Sequence, residues 1–263
     1  MTKLMEEMTW VEFDEARKKI DTILIPTGSV EVEGPHLPLN VDSIVALGTA
    51  KRVAEKTGLL VAPLLNVGYS EWHMGFPGTL SFGMTTVSQI LRELSSSLIH
   101  YGFQRLVFIN SHVGNDWSIT EIANEITRKR IARVAMVNLW ALGNEMAKNL
   151  PELVEKKFLH AGEIMTSVVM ALRPDLVDMK KAKKEYLKGR LESFTQRGSW
   201  NTVFKGLPVN VYHSSEELTE SGVMGDPMAA TPAKGEKILS AWTDYIVEFI
   251  KEFKKLPLEG KSG

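Results

Sequence analysis

Short apolar runs alternate with amphipathic stretches along this chain. Four runs have the length and apolar character of buried strands, namely residues 22–25, 59–62, 106–109 and 134–137. Segments with apolar residues at helical spacing predict helices, at residues 42–56, 85–101, 115–131, 162–172 and 231–254. This alternation is typical of a mostly parallel sheet, so the sequence predicts an α/β fold with helices covering both faces of the sheet.

The remaining segments complete the outline of the chain. Thr9 followed by Glu12 is a capping-box pattern, which predicts a short helix near the N-terminus. Residues 180–220 lack a regular pattern, and we expect them to form either a subunit contact or a lid over the active site. That segment contains the aromatic residues Phe194, Trp200 and Phe204. No linker divides the chain, so residues 1–263 are predicted to form a single domain.

Composition narrows the class of protein. Because 31 basic and 32 acidic side chains nearly cancel, no net field favours nucleic acid or an anionic membrane as a partner. The absence of cysteine excludes disulfides, thiolate metal sites and cysteine nucleophiles. No apolar run is long enough to span a bilayer, and the N-terminus lacks a signal-peptide pattern. We therefore expect a cytoplasmic protein.

Polar, glycine-containing segments follow the predicted strands. In open parallel sheets, ligands bind beyond the carboxyl ends of the strands. We therefore expect four segments to meet at one edge of the sheet. They are residues 28–42, residues 66–78, residues 110–115 and the position of Trp140.

The first of these segments has the side chains of a metal site. Glu31, Glu33, His36 and Asp42 lie between glycine and proline residues that exclude a regular helix. Carboxylate and imidazole ligands suit zinc, manganese or iron(II). Taken by itself, this segment is explained equally well by an acidic loop exposed to solvent. His112, placed directly after a buried strand, supplies the further nitrogen ligand that favours the metal site.

Two other clusters are candidates for substrate chemistry. His160 and Glu163 flank the start of a helix, where Glu163 would also be favoured by the helix dipole. We expect these two residues to be catalytic and to transfer a proton. Residues 70–79 contain both polar and aromatic side chains, and we expect them to form one wall of the substrate-binding site. The residues expected to bind substrate are Ser70, His73, Asn115 and Trp140.

Together these segments resemble the creatininase family. Residues 28–42, GSVEVEGPHLPLNVD, are similar to a family segment of the form GSxExHGPHLPLxxD. Four further segments match in the same order, namely FPGT at 76–79, NSHVGN at 110–115, HAGE at 160–163 and GVMGDP at 222–227. Five matches in order are far more specific than any one of them.

The resemblance implies a creatininase-like fold, a homo-oligomer and a metal site that is sometimes binuclear. By position, Glu31, Asp42 and His112 would hold the first metal, with Asp42 bridging to a second. Zinc is the expected ion, with manganese or iron(II) as alternatives. His160 matches a family histidine near the bond that is cleaved. The substrate would be a small molecule.

Two positions depart from the family pattern. Glu33 stands where the family usually has a histidine ligand, and Gly114 stands where creatininase has a glutamate. We therefore expect one tightly held ion, a weak or absent second ion, and little turnover of creatinine. Glu33 can still coordinate, although a glutamate adds negative charge and prefers harder cations.

The resulting hypothesis is a hydrolase that uses a metal-activated water to open or cleave a small polar cyclic carbonyl compound. One alternative is carbon–carbon ring opening of a diketo-inositol (3-dehydro-scyllo-inosose) in inositol catabolism. The other is an inactive relative that binds a metal or a small molecule.

Overall fold

The computed structural model describes residues 3–187, 194–196 and 201–258. Its helices are α1 (Trp10–Arg17), α2 (Val41–Thr57), α3 (Met84–His100), α4 (Asp116–Lys129), α5 (Leu139–Ala147), α6 (Glu163–Leu172), α7 (Ser215–Leu218) and α8 (Pro232–Phe253). Its strands are β1 (Thr22–Thr27), β2 (Leu60–Val61), β3 (Arg105–Asn110), β4 (Arg133–Asn138), β5 (Phe194–Gln196), β6 (Asn201–Phe204) and β7 (Leu207–Asn210).

The main sheet is parallel and has the strand order β2-β1-β3-β4. Thr27 at the end of β1 pairs with Asn110 at the end of β3, which in turn pairs with Asn138 at the end of β4. This register places the carboxyl ends of three strands side by side. The predicted α/β fold with a mostly parallel sheet is confirmed.

Hydrophobic residues from successive positions of the strands enter two different cores. Leu24 and Val107 pack into a core with α2, α6 and α8, whereas Ile25 and Phe108 pack into a core with α3 and α4. Because neighbouring side chains of a strand point to opposite faces, a strand buried on both faces must be apolar throughout. This explains the continuous apolar runs in the sequence.

Strand β4 departs from the expectation of full burial. Its sequence is as apolar as that of β3, but its residues are only partly buried, and Met136 is 36% exposed. The reason is its position at the edge of the sheet, which sequence periodicity does not reveal.

The segment 180–220 is more regular than predicted. Strands β5, β6 and β7 form a small antiparallel sheet, in which Phe194 pairs with Phe204. These strands have three or four residues each, too few for a clear alternation of apolar and polar positions. Trp200 lies outside the described residues, and the role of this segment as a lid or subunit contact stays a prediction.

Two smaller features bear on the sequence analysis. The capping box at Thr9 and Glu12 is present, with each side chain bonded to the other residue's backbone N–H. Among the described residues, no helix is both long and apolar enough to cross a bilayer.

Candidate metal centre

The carboxyl ends of β1, β3 and β4 converge on a group of buried ionisable side chains. Glu31 and Asp42 come from the segment after β1, and His112 follows β3; each is 2% exposed. Gly28 allows this convergence, because a Cβ there would lie 2.5 Å from the Cα of Ser43 at the start of α2. The backbone therefore brings Asp42 close to the edge of the sheet.

Glu31, Asp42 and His112 form a compact set of metal-ligating atoms. One ligand atom from each residue lies within 4.8 Å of the other two. The Nδ1 atom of His112 is 3.0 Å from Oδ2 of Asp42 and 3.3 Å from Oε2 of Glu31. The structure thus brings together three of the four metal ligands predicted from the sequence.

The orientation of His112 is fixed by its other ring nitrogen. Nε2 lies 2.7 Å from the carbonyl oxygen of Tyr69. Because a carbonyl oxygen can only accept, Nε2 must donate in this contact. In the neutral ring, Nδ1 then keeps its lone pair facing the two carboxylates. A histidine that donates one N–H to a carbonyl while the other nitrogen faces carboxylates has the arrangement typical of a metal ligand.

The two carboxylates accept hydrogen bonds from three side chains. The Nε1–H of Trp140 at the start of α5 lies 2.9 Å from Oδ1 of Asp42 and also contacts the carbonyl oxygen of Ser111, and Ser29 donates to Oδ2 of Asp42 over 3.0 Å. Ser70 donates its hydroxyl hydrogen to Oε2 of Glu31 over 2.5 Å. These hydrogen bonds orient the carboxylates of Asp42 and Glu31 before any ion binds.

The electrostatics of the site favour a cation. Burial raises the pKa of Glu31, and burial together with the charges of Asp42 and Glu31 raises the pKa of Glu33 well above its usual range. Burial lowers the pKa of His112, but the charge of Glu31 and the hydrogen bond to Asp42 outweigh it and raise that pKa to about 9. Carboxylates crowded in a buried site are stabilised by a positive charge. The donor set and its charge therefore fit a divalent ion.

A second group of possible ligands adjoins the first and shares Glu31 with it. One ligand atom each of Glu31, His73 and His160 lies within 4.8 Å of the others. The rings of His73 and His160 stack with centroids 5.0 Å apart. Ala161, directly after His160, has a φ of 53°, a conformation that is uncommon for alanine and typical of functional segments.

Glu33 is buried beside this second group. Its carboxylate is 1% exposed, and Oε2 lies 3.4 Å from Nε2 of His160. Among the described residues, neither carboxylate oxygen of Glu33 has a hydrogen-bond partner. The fourth predicted metal ligand therefore lies near His160 and outside the group of Glu31, Asp42 and His112.

His36 lies outside both groups. Its Nε2 contacts Oγ1 of Thr166 in α6 at 3.0 Å, and burial lowers its pKa to about 4. It ties the segment after β1 to α6.

Two of the residues predicted to bind substrate do not line the cavity at this edge. The hydroxyl of Ser70 is engaged by Glu31. Asn115 donates to the carbonyl oxygen of Gly28 and accepts from the N–H of Tyr69, so its amide joins two loops. His73 and Trp140 do line the cavity. The polar groups of Ser70 and Asn115 are used inside the protein, and substrate contact by all four residues stays a prediction.

Glu163, which the sequence predicts to transfer a proton, lies away from the cavity, and that role stays a prediction. Oε2 of Glu163 accepts from the backbone N–H groups of Val154 and Glu155, and Oε1 contacts Nζ of Lys234 at 2.5 Å. The side chain is fully buried and does not line the cavity. Both oxygens are therefore occupied in holding the loop before α6, whereas His160 does reach the cavity.

The cavity above the metal ligands has a volume of about 420 Å³. Its aromatic wall includes Trp72 and Phe158, which stacks on Trp140 at 4.6 Å. Its polar lining includes residues that the sequence analysis missed, namely Asp116, Asn138 and Asn144. Asn138 could have been found, because it ends β4 at the same edge as Asn110. Asn144 lies on α5, and the sequence pattern around it does not indicate a place in the cavity.

Comparison with known proteins identifies the family of this chain. The creatininase (creatinine amidohydrolase) family model matches residues 6–250. The creatinine amidohydrolase of Pseudomonas putida is 34% identical over 190 residues, which cover 66% of this chain and 73% of that protein. The mycofactocin precursor peptide peptidase of Mycolicibacterium smegmatis is 30% identical, in an alignment that covers 89% of this chain and 86% of that protein. The 3-dehydro-scyllo-inosose hydrolase of Thermotoga maritima is 27% identical, covering 97% and 85%.

Solved structures show the same fold with metal. A mutant creatininase described as Zn–Zn type superposes with a TM-score of 0.80 and 25% identity, covering 97% of this chain and all of that one. A structure described as creatininase Mn superposes with a TM-score of 0.77 and 25% identity. The match covers 97% of this chain and all of that one. The family model spans nearly the whole chain, one relative is 34% identical, and the solved structures share the fold. This chain therefore belongs to the creatininase family of hydrolases.

Proposed function

We propose that this chain hydrolyses a small polar carbonyl compound with a divalent ion held by Glu31, Asp42 and His112. The observation that carries the proposal is the orientation of these ligands at the floor of the cavity. A divalent ion bound there supplies a water of lowered pKa and polarises a carbonyl group. Zinc is the ion we expect, because one imidazole and two carboxylates suit it, with manganese or iron(II) as alternatives.

The residues around that ion would orient its ligands and limit its contact with bulk water. Tyr69 and Trp140 fix His112 and Asp42 through the hydrogen bonds described above. The aromatic wall restricts the access of bulk water to the floor of the cavity. Of the two catalytic residues predicted from the sequence, His160 lines the cavity, and we propose that it contacts the substrate or its leaving group.

The size and lining of the cavity support a small substrate with hydrogen-bonding groups. A volume of about 420 Å³ suits a small ring. The oxygen of Asn144 accepts from the backbone N–H of Phe158, so its amide NH2 group is the part that can donate to a substrate. We propose hydrolysis of a cyclic carbon–nitrogen bond, as in the amidohydrolase relative, as the first candidate reaction.

Carbon–carbon ring opening of a keto-inositol is the second candidate. The relative named 3-dehydro-scyllo-inosose hydrolase aligns with 97% of this chain, whereas the creatinine amidohydrolase aligns with 66%. A hydroxyl-rich ring would also find a carboxylate acceptor in Asp116 and an amide donor in Asn144.

A substrate panel tests the proposal and separates its two candidates. Metal-free protein is incubated with cyclic amides, short peptides and keto-inositols, with and without added zinc or manganese. We expect turnover of one ring class that depends on the added metal. Metal-independent turnover would contradict the proposal, and metal binding without turnover of any class would favour a binding protein.

Replacing Trp140 by phenylalanine tests the hydrogen bond to Asp42. Phenylalanine keeps an aromatic ring against Phe158 but removes the N–H donor. Loss of such an outer partner costs roughly 10- to 100-fold in metal affinity. We expect a weakening of that size in zinc titration calorimetry. Trp10→Phe is the matched control, because Trp10 is 80% exposed and does not line the cavity, and this variant should bind zinc like the wild type. Equal affinity in both variants would contradict the role given to Trp140.

We also propose that the protein is a cytoplasmic homo-oligomer. Exposed apolar residues adjoin residues that line the cavity, among them Met74 at 54% and Trp117 at 69%. Large exposed apolar patches mark subunit contacts, and we propose that these side chains lie in one. Light scattering should give a mass that is a multiple of 29.4 kDa. A mass equal to that of the single chain would contradict the oligomer.

A further inference from the structure

We infer that Lys234 is a positioning residue for His160. It acts through two buried carboxylates, Glu155 and Glu163, which close the loop on which His160 lies. The inference rests on the proposed function, because the position of His160 affects turnover only if the cavity is the active site. It gives a role to Glu163, whose side chain does not line the cavity.

Glu155 and Glu163 lie at the two ends of that loop and exchange hydrogen bonds. Oε2 of Glu163 accepts from the backbone N–H groups of Val154 and Glu155, over 2.8 and 2.7 Å. In return, Oε2 of Glu155 accepts from the backbone N–H of Glu163 over 2.8 Å. Hydrogen bonds to a charged group are stronger than those between neutral groups. Each carboxylate thus holds the backbone at the opposite end, so that residues 156–162 form a closed loop.

The same loop is attached to a neighbouring segment. The backbone N–H of Met224 donates to the carbonyl oxygen of His160 over 2.9 Å. The second oxygen of Glu155, Oε1, accepts from the backbone N–H of Asp226 over 2.7 Å. The ring of His160 lies with Nε2 2.9 Å from the carbonyl oxygen of Val32. The place of this ring in the cavity therefore depends on how the loop and the neighbouring segment are held together.

Two glycines leave space for the carboxylate of Glu155. A Cβ on Gly162 would lie 2.5 Å from Oε2 of Glu155, and a Cβ on Gly225 would lie 3.0 Å from Oε1. A side chain at either position would crowd the carboxylate away from the backbone N–H groups that it accepts from. The backbone on both sides is thus closely fitted around Glu155.

Lys234 of α8 supplies the positive charge for these two carboxylates. Glu155 and Glu163 are buried, and the side chain of Lys234 is largely buried. Nζ of Lys234 lies 2.5 Å from Oε1 of Glu163 and donates to the carbonyl oxygen of Ala229 over 2.6 Å. A buried carboxylate that loses its cation keeps an uncompensated charge, which is strongly destabilising. Without Lys234 we therefore expect Glu163 to turn toward water and to release the N–H groups of the loop.

Lys234→Met tests the inference, because methionine is unbranched and carries no charge. In crystals grown with zinc, we expect the loop of the variant to shift, so that Nε2 of His160 leaves hydrogen-bond distance of the Val32 carbonyl oxygen. The three proposed metal ligands should stay in place. A misplacement of about 1 Å can cost roughly 10²-fold in rate. We expect a fall of about that size in kcat on the substrate identified by the panel, with the zinc affinity from calorimetry unchanged.

A double variant separates positioning from a direct role of the lysine. Combining Lys234→Met with Glu163→Gln removes the buried charge, and the amide oxygen can still accept from the two N–H groups of the loop. Because residues in one network do not act additively, we expect the double variant to regain most of the wild-type kcat and the position of His160. Lys237→Met is the matched control. Lys237 also lies on α8 and pairs with Glu152, but this pair is exposed, so kcat should equal that of the wild type.

The possible outcomes keep this inference apart from the proposed function. A folded Lys234→Met variant with His160 in its wild-type position, or with wild-type kcat, would overturn the inference. A double variant that keeps the displaced loop would overturn it as well. If Lys234→Met does not fold, Lys234→Gln replaces it in the same measurements, because glutamine can still donate to Glu163 without a charge. A wild type that binds no zinc would contradict the proposed function, whereas the crystals of the variant decide whether Lys234 positions His160.

Discussion

Alanine at position 112 is expected to abolish metal retention and metal-dependent turnover. His112 supplies the only nitrogen ligand of the first group, and its removal leaves the ion with only the carboxylates of Glu31 and Asp42. The loss in affinity should exceed the roughly 10- to 100-fold that removal of an outer partner costs. Bound metal is measured after gel filtration, and turnover is measured on the substrate identified by the panel.

The control for this variant is another histidine replaced in the same way. His100 is exposed near the end of α3, so His100→Ala should keep both metal and activity. A folded His112→Ala protein that retains one tightly bound ion and normal turnover would contradict the assignment of the first site.

Removal of the metal is expected to lower the unfolding temperature strongly. An ion that binds only the folded state stabilises it by about 4 kcal/mol when its concentration is 1,000 times Kd. For a domain of this size, each kcal/mol corresponds to about 2–4 °C. We therefore expect chelation to lower Tm by ~8–16 °C, measured by calorimetry with and without excess zinc.

A variant that lacks a ligand shows whether this shift comes from the proposed site. Asp42→Asn should melt at the same temperature with and without zinc, because the first ion is no longer held. An equal response of wild type and variant to chelation would place the stabilising ion elsewhere.

The fold could be predicted from the sequence because both faces of the sheet are covered. Burial on two sides makes β1 and β3 continuously apolar, and such runs between amphipathic helices point to one architecture. The edge position of β4 could not be predicted, because pairing order depends on contacts between distant parts of the chain. The short strands of the small sheet could not be predicted for another reason. A strand of three residues is too short to show an alternation of apolar and polar positions.

The site could be predicted by residue type but only partly by role. Glu31, Asp42 and His112 follow strands that end at the same edge, so their convergence follows from the parallel topology. The partners of Ser70 and Glu163 could not be foreseen, because they are a carboxylate and a lysine brought close only by folding. Those partners decide whether a polar group faces the substrate or supports a neighbour.

Anomalous diffraction at the zinc absorption edge, from crystals grown with zinc, locates the ion that we propose at the floor of the cavity. We expect a peak bonded to Nδ1 of His112, to Asp42 and to Glu31, at the roughly 2.0–2.2 Å typical of zinc with nitrogen and oxygen ligands. A cavity without an anomalous peak, or a peak that touches none of these three residues, would contradict it.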